Sequence, residues 1–281
     1  MQLSRYGLQT LLFEEQVLGG LLKNANLVEN YPGFPGGISG RQLVNRLAAQ
    51  VKGHPVKIIY KKVEQVFPPG DRQDRTFTIE AGDKQYLARV VVAACGTLPK
   101  TLSLVEELPK ALRKNAFYEV FPLLPEEDKI IAIIGAGDAA FDYALNLARQ
   151  NQVVILNRGS RVRALPLLVQ RIHQEQKIQY RDNVAIEAIQ AGQDHDLSLT
   201  LAPGKKDKIL ECDYLIAAVG REERRDFFSP QLLEQEQSLV NRGLLHLVGD
   251  LKNGRYRQAT LAVGDGVEAA MKIYEEIGDC A

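Results

Sequence analysis

The apolar run Ile131-Ala132-Ile133-Ile134 leads straight into Gly135-Ala136-Gly137-Asp138-Ala139-Ala140 and then a helix-forming stretch. A G-x-G-x-x-A turn between a strand and a helix restricts the fold to a dinucleotide-binding unit. The first glycine permits a tight turn, and the second lets backbone N–H groups approach a pyrophosphate. Small Ala140 lets the helix lie close to the strand. Asp138 and Ala139 open that helix, whose N-terminus would face the phosphates. The next apolar run, Gln152 to Leu156, ends where an adenosine ribose belongs, and a site for NAD usually has Asp or Glu there. This chain has Asn157 and Arg158, then Arg161 and Arg163. Cations without a carboxylate suit a 2′-phosphate, so NADPH is the expected ligand. A structural glycine turn beside a solvated basic loop is the competing reading. It leaves the agreement of strand, turn, helix and second-strand terminus unexplained.

The 281 residues suffice for two domains of ordinary size. With 45% hydrophobic and 25% charged residues, the composition is that of an ordinary soluble globular protein. The 35 basic residues cancel the 35 acidic ones, which argues against nucleic acid as a partner. No apolar run approaches the length that spans a membrane, and the first residues lack a signal-peptide pattern. Cys95, Cys212 and Cys280 are odd in number and far apart. A disulfide framework and a C-x-x-C centre are both excluded, and a reducing cytoplasm is the expected location. His54, His173, His195 and His246 lack ligand spacing, so no metal site and no general acid are assigned to them.

Strand and helix patterns alternate, as in α/β layers around parallel sheets. Leu8 to Glu14 reads as a strand with an acidic end, Arg41 to Lys52 as an amphipathic helix, and Val56 to Tyr60 as the next strand. Val63–Phe67, Thr76–Ala81 and Lys84–Ala93 read as a small antiparallel insertion returning to the main sheet. Gly96 to Asp128 has four prolines and no strong strand, so it reads as an interdomain connection. Ile130 to about Arg221 forms a second unit. A short strand, Leu244–Val248, and a helix from about Thr260 to Ile277 follow.

Two segments repeat faintly: Ala88 to Gly96 and Cys212 to Gly220 are apolar strands ending in Ala-Ala-x-Gly. Two copies of one nucleotide-binding unit would produce this, as would chance agreement between two buried strands. In a copy, Glu14 (with Glu15 beside it) stands where a carboxylate grips a ribose. A glycine loop then belongs about 20 residues earlier. Leu3 to Gly7 read instead as the last turn of a helix capped by Gly7. The first strand and glycine loop of that copy are not in this sequence.

These residues resemble the low-molecular-weight thioredoxin reductases and their relatives among the two-domain flavin disulfide reductases, over nearly the whole chain. Gly19-Gly20 and Val28-Glu29-Asn30-Tyr31-Pro32-Gly33 look like that family's flavin-side segment. Cys95-Gly96 matches its first-domain Thr-Gly. Gly135 to Ala140 and Arg158…Arg163 match its NADPH site, with Arg158-Gly159 where the family often has adjacent arginines. Gly249-Asp250 looks like the Gly-Asp that holds the FAD ribityl chain. Arg257-Gln258-Ala259 resembles the stretch passing the isoalloxazine, and Gly264-Asp265-Gly266 the start of the final helix.

The resemblance implies an α/β fold of two Rossmann-like dinucleotide-binding domains. An FAD domain (1–115 and 226–281) is interrupted by an inserted NAD(P)H domain (116–225). It implies FAD and NADPH as cofactors, hydride transfer from nicotinamide to flavin, and usually a homodimer. Its cofactor-binding positions are those just named, together with Glu14, Asn157 and Gly220.

Three departures limit the likeness. The family's redox dithiol would fall at Tyr118-Glu119-Val120-Phe121, where there is no sulfur, so thioredoxin reduction by the usual route is excluded. The Gln that commonly follows the glycine pair is Leu21. The missing strand would be central, between Leu8–Glu14 and Lys84–Ala93, and its loss leaves two sheet edges unpaired. A truncated start, another segment or another subunit would each account for this. The leading expectation is an FAD-dependent NAD(P)H oxidoreductase without its own dithiol, passing electrons to a small-molecule or redox-protein acceptor. Ferredoxin (flavodoxin)–NADP reductases share its helix start, Gly137 to Leu145, but carry a C-terminal extension. A non-flavin NADP(H)-binding sensor or scaffold is the alternative from another class. Thioredoxin reduction using a partner's cysteines ranks last.

Overall fold

Hydrogen bonding sorts the described strands into six sheets, one of them a two-stranded ribbon where the chain passes between two units. The computed structural model describes residues 1–70, 76–202 and 208–278. Cys280 lies outside them.

The first unit opens on helix α1 (Gln2–Arg5), which ends as expected. Gly7 has φ +75°, and the amides of Gly7 and Leu8 bond back to Ser4 and Leu3. Strand β1 (Leu11–Phe13) pairs in parallel with β2 (Lys57–Ile59), and α2 (Gly40–Lys52) lies between them in sequence. Ser39 caps α2 by accepting from the Gln42 amide, and buried Leu43 packs against Val28 and Ile38. Strands β3 (Gln65–Phe67), β4 (Phe77–Ala81) and β5 (Lys84–Ala88) form an antiparallel sheet.

The single strand expected from Lys84 to Ala93 is in fact two. After a bend at Arg89 and Val90, β6 (Val91–Ala93) leaves β5 and joins another sheet. β5 is an edge strand with Leu87 63% exposed, whereas Ala93 is buried. Arg89 stands at the join, but Tyr86-Leu87-Ala88 before it and Val90-Val91-Val92 after it read together as one strand.

The chain continues through β7 (Thr97–Pro99), helices α3 (Ser103–Glu106) and α4 (Lys110–Arg113), and β8 (Ala116–Phe117). Then come β9 (Ile130–Ile134), α5 (Asp138–Leu147), β10 (Gln152–Leu156), α6 (Pro166–Gln174) and β11 (Ile178–Arg181). Three antiparallel strands, β12 (Ile186–Ala191), β13 (Leu197–Leu201) and β14 (Ile209–Cys212), precede β15 (Tyr214–Ala217). The parallel sheet runs β11-β10-β9-β15-β8. The stretch expected to hold no strong strand therefore supplies two short ones, β7 and the edge strand β8, of three and two residues and too short to show a period.

Both faces of this sheet are covered, which is why β9 and β10 read as continuous apolar runs. Ile131, Ile133, Val153 and Ile155 pack under α5 with Phe141 and Leu147. The alternate residues Ala132, Val154 and Leu156 pack against Leu197, Leu199 and Leu215.

After β16 (Arg221–Glu223), the chain returns to the first unit. Ser229 caps α7 (Pro230–Asn241), and β17 (Leu245–Leu247) pairs in parallel with β6. Helix α8 (Ala259–Gly278) ends the described chain. It begins before Gly264, so Gly264-Asp265-Gly266 lies inside the helix rather than at its start. The first unit is thus made of segments on both sides of the second.

Its parallel strands do not form one sheet. β1 pairs only with β2, and β6 only with β17. No strand among the described residues pairs with the second edge of β1 or of β6. The faint repeat has a geometric counterpart: β6 runs through Gly96 (φ +69°) into β7, and β15 through Gly220 (φ +116°) into β16. β7 and β16 then pair antiparallel, Thr97 opposite Glu223, as the ribbon between units.

Candidate functional site

The glycine turn sits at the C-terminal end of β9. Gly135 has φ +140°, and a Cβ there would lie 2.4 Å from the Ala218 carbonyl oxygen and 3.4 Å from the Ala140 Cβ. Gly135 and fully buried Ala140 therefore let β9, β15 and α5 meet. Gly137 differs: a Cβ there would meet nothing, so open space faces the start of α5. Asp138 and Ala139 are exposed on the first turn, and the Asp138 carboxylate accepts from the Leu165 amide at 2.7 Å. The Arg163 amide donates to the Ala136 carbonyl at 2.8 Å, which lays the basic loop against the glycine turn. Arg158, Arg161 and Arg163 are exposed and have no carboxylate partner among the described residues.

Asn157, a candidate cofactor-binding residue, turns into its own loop. It is 7% exposed, and its amide donates to the Arg161 carbonyl (3.2 Å) and the Tyr180 hydroxyl (2.9 Å). Its carbonyl accepts from the Gly159 amide at 3.3 Å. Asn157 shapes the loop that presents the arginines. A buried amide must satisfy its polar atoms, and the nearest partners are in its own loop.

The second group of expected residues gathers where the two halves of the first unit meet. Buried Gly249 (φ +64°) begins a single turn, and its amide donates to Asp265 on α8 at 3.0 Å. Asp265 also accepts from Lys252 at 2.7 Å and Asn253 at 2.5 Å, fixing that turn. Asp250 is half-buried, and burial raises its carboxyl above the ordinary range although Arg257 and Arg221 oppose the shift. The Nε of Arg257 is buried without a partner. Asn30 donates to Gln258 at 2.6 Å, and Ala259 follows as the first residue of α8.

Gly19 (φ +116°) is required by packing, since a Cβ would strike Val44 at 2.2 Å. Gly20 (φ +51°) and Gly96 (φ +69°) face open space. Gly220 (φ +116°) lies in the ribbon, its carbonyl accepting from the Lys100 amide at 3.0 Å. Glu14 is half-buried just past β1 and accepts from the Gln16 amide at 3.0 Å. Beside it Glu15 pairs with Arg224 at 3.0 Å.

Sequence reasoning missed the polar centre between the units. Glu119 accepts from Asn24 (2.7 Å), from the Tyr143 hydroxyl (3.0 Å) and from Arg221. Arg221 also donates to the side chain and the carbonyl of Thr97, both at 2.8 Å. These are ordinary polar residues, distant in sequence, and no local pattern announces them.

Both described cysteines are held as neutral thiols. Burial pushes the Cys95 thiol up to about 11 and the Cys212 thiol up to about 12. The Cys95 thiol donates to the Arg224 carbonyl at 3.1 Å. No cluster of metal-ligating side chains occurs among the described residues, and no helix there is long and apolar enough to cross a membrane.

A strand–glycine-turn–helix unit inserted between the segments of a second α/β unit defines the class of pyridine-nucleotide oxidoreductases. The profile of the pyridine nucleotide-disulphide oxidoreductase family matches residues 1–266, and the chain belongs to that family. Its members typically bind FAD and NADPH. The chain is 31% identical to a thioredoxin reductase of Streptomyces clavuligerus, over 95% of this chain and 86% of that protein. To the thioredoxin reductase of Bacillus subtilis it is 25% identical, over 96% and 87%. The crystal structure of Lactococcus lactis thioredoxin reductase, in what is termed its FR conformation, matches with a TM-score of 0.81. Identity there is 26%, covering 99% of this chain and 94% of that one. The chain is thus an oxidoreductase of this family, thioredoxin reductase-like, with an α/β fold matching structures that have two Rossmann-like domains.

Proposed function

We propose that the protein is an NADPH-dependent flavin oxidoreductase that lacks a dithiol of its own and passes electrons to a separate acceptor. The observation that carries this reading is the open face at Gly137 beside three unpaired arginines, with Tyr118 and Phe121 where a dithiol would stand. In this reading residues 116–225 form the NADPH domain, inserted into an FAD domain made of 1–115 and 226–281.

At the NADPH site the chain fits its ligand. The first amides of α5 and the open Gly137 suit the pyrophosphate, and Arg158 and Arg163 suit a 2′-phosphate. At the flavin end the fit is also favourable. Asp250 is a half-buried acceptor for ribityl hydroxyls, Arg257 Nε is a buried donor without a partner, and Gly20 and Gly96 leave room. The pyrophosphate end of FAD has no glycine loop ahead of β1 among the described residues. When bound, the two cofactors supply the hydride transfer and the onward electron flow. The chain's own residues bind, orient and exclude water.

The acceptor is a small molecule or a redox protein, ferredoxin- or flavodoxin-type carriers included. Val263, Val267, Met271 and Tyr274 form an exposed stripe along α8, between 42% and 47% exposed, which supports a homodimer. Three cysteines far apart in sequence support a cytoplasmic location.

An absorbance spectrum between about 350 and 500 nm, repeated after anaerobic NADPH addition, tests the proposal. Flavin bands that bleach are expected. A protein that stays colourless after incubation with FAD would leave the second reading, an NADP(H)-binding sensor or scaffold. The two separate strand pairs of the first unit favour that second reading.

A further inference from the structure

One strap of the first unit, Asn24 to Asn30, runs from the second unit to the candidate flavin end. Its far end, Asn30, bonds Gln258 beside the flavin end. The rest is fastened to the second unit. Asn24 is 3% exposed, and both ends of its amide are satisfied across the boundary. Nδ2 donates to Glu119 at 2.7 Å, and Oδ1 accepts from the Phe121 amide at 3.2 Å. The Asn26 amide donates to Asp142 at 2.8 Å, while its side-chain carbonyl accepts from Arg149 at 2.6 Å. Glu29 and Arg171 form a two-pronged pair at 2.7 and 2.9 Å.

Asp142 and Arg149 lie on or just past α5, the helix whose first turn carries the glycine loop. Asp142 is one turn beyond Asp138. A shift of the second unit would therefore move the glycine loop and pull on the strap together. The glycine hinges and the short ribbon are otherwise the chain's only covalent route between units, and two glycines at positive φ allow rotation.

We infer that the strap is a latch, and that Asp142, Glu119 and Asn24 are positioning residues that hold the glycine loop in register with the flavin end. The inference rests on the proposed function for what is being positioned, but not for the latch itself. Coupling runs through hydrogen bonds whose removal releases one unit from the other without touching either binding site.

Hydrogen exchange on the full chain without cofactors reads the latch directly. In Asp142→Ala the Asn26 and Leu27 amides should exchange at least about tenfold faster, while amides of β9 and β10 keep their protection. Asp142→Asn, which still offers a carbonyl acceptor, should restore the slow exchange. Calorimetry should find NADPH affinity unchanged in both variants, and the FAD-loaded Asp142→Ala protein should lose rate of flavin reduction at saturating NADPH. Glu29→Ala, at an exposed pair, should speed the same strap amides and serves if Asp142→Ala does not fold. Unchanged strap exchange in these variants, or equal loss of protection in β9, would overturn the latch. The expected faster strap exchange in a protein that never binds flavin would instead overturn the proposed function and leave the latch standing.

Discussion

The Asn30 amide donates to the Gln258 carbonyl at 2.6 Å, closing the first unit between residues 228 positions apart. Both side chains are exposed, so the bond is worth little to folding. In Gln258→Ala the melting temperature should hold while FAD binds about 3–10-fold more weakly, the equivalent of a bond worth about 0.5–1.5 kcal/mol. Equal FAD retention in wild type and variant, measured by fluorescence titration, would remove this pair from the flavin site.

In the proposed function the arginines beside the glycine turn set the nucleotide preference. Replacing Arg158 and Arg163 together with Ala should weaken NADPH by about 10–100-fold, since charge-assisted bonds contribute about 1.5–3 kcal/mol. NADH should scarcely change. Parallel loss for both nucleotides in calorimetry would contradict a 2′-phosphate clamp.

The two glycines of the turn should separate stability from binding. Gly135→Ala places a Cβ 2.4 Å from the Ala218 oxygen at a φ of +140°. The cost should be on the order of 2–4 kcal/mol and visible in denaturant unfolding. Gly137→Ala meets no neighbour, so it should melt like wild type yet bind NADPH more weakly. Similar melting for both variants would refute the packing argument.

Asp142 gives the stability a pH dependence with a definite sign. Burial pushes its carboxyl up to about 6 from 3.8, although the Asn26 and Leu27 amides and Arg149 oppose this; Asp138 adds to it. Tyr143 and Arg171 also face it. A carboxyl raised in the folded protein takes up a proton on folding. Its contribution is therefore fully present below the ordinary value and is lost as pH rises through about 6. Asp142→Asn should raise the melting temperature at neutral pH, and the gain should shrink as pH falls towards 4. A gain of equal size at both ends would point to another cause.

Thiol chemistry should be dispensable. With the Cys95 and Cys212 thiols raised to about 11 and about 12, iodoacetamide should react slowly with both in the native protein. NADPH-dependent reduction of a dye acceptor should survive alkylation. Loss of that activity in step with thiol modification would revive a cysteine route.

The glycine turn and the strands around it were legible because one contiguous segment contains the whole signal. β10 ends at Leu156 as its apolar run predicts. Gly7 caps its helix for the same local reason. What escaped were relations between distant residues of unremarkable type. Nothing near Glu119 in sequence suggests Asn24 or Arg221, and nothing near Asn157 says that its amide turns into its own loop. The break between β5 and β6 was hidden because a single Arg89 between apolar neighbours is no turn signal by itself.

β1 and β6 each keep one strand edge without a partner among the described residues. Main-chain donors and acceptors along such an edge have no preference for particular side chains, so any extended segment of suitable length can pair there. Light scattering on dilute and concentrated preparations reads such pairing directly, as a rise in mass with concentration.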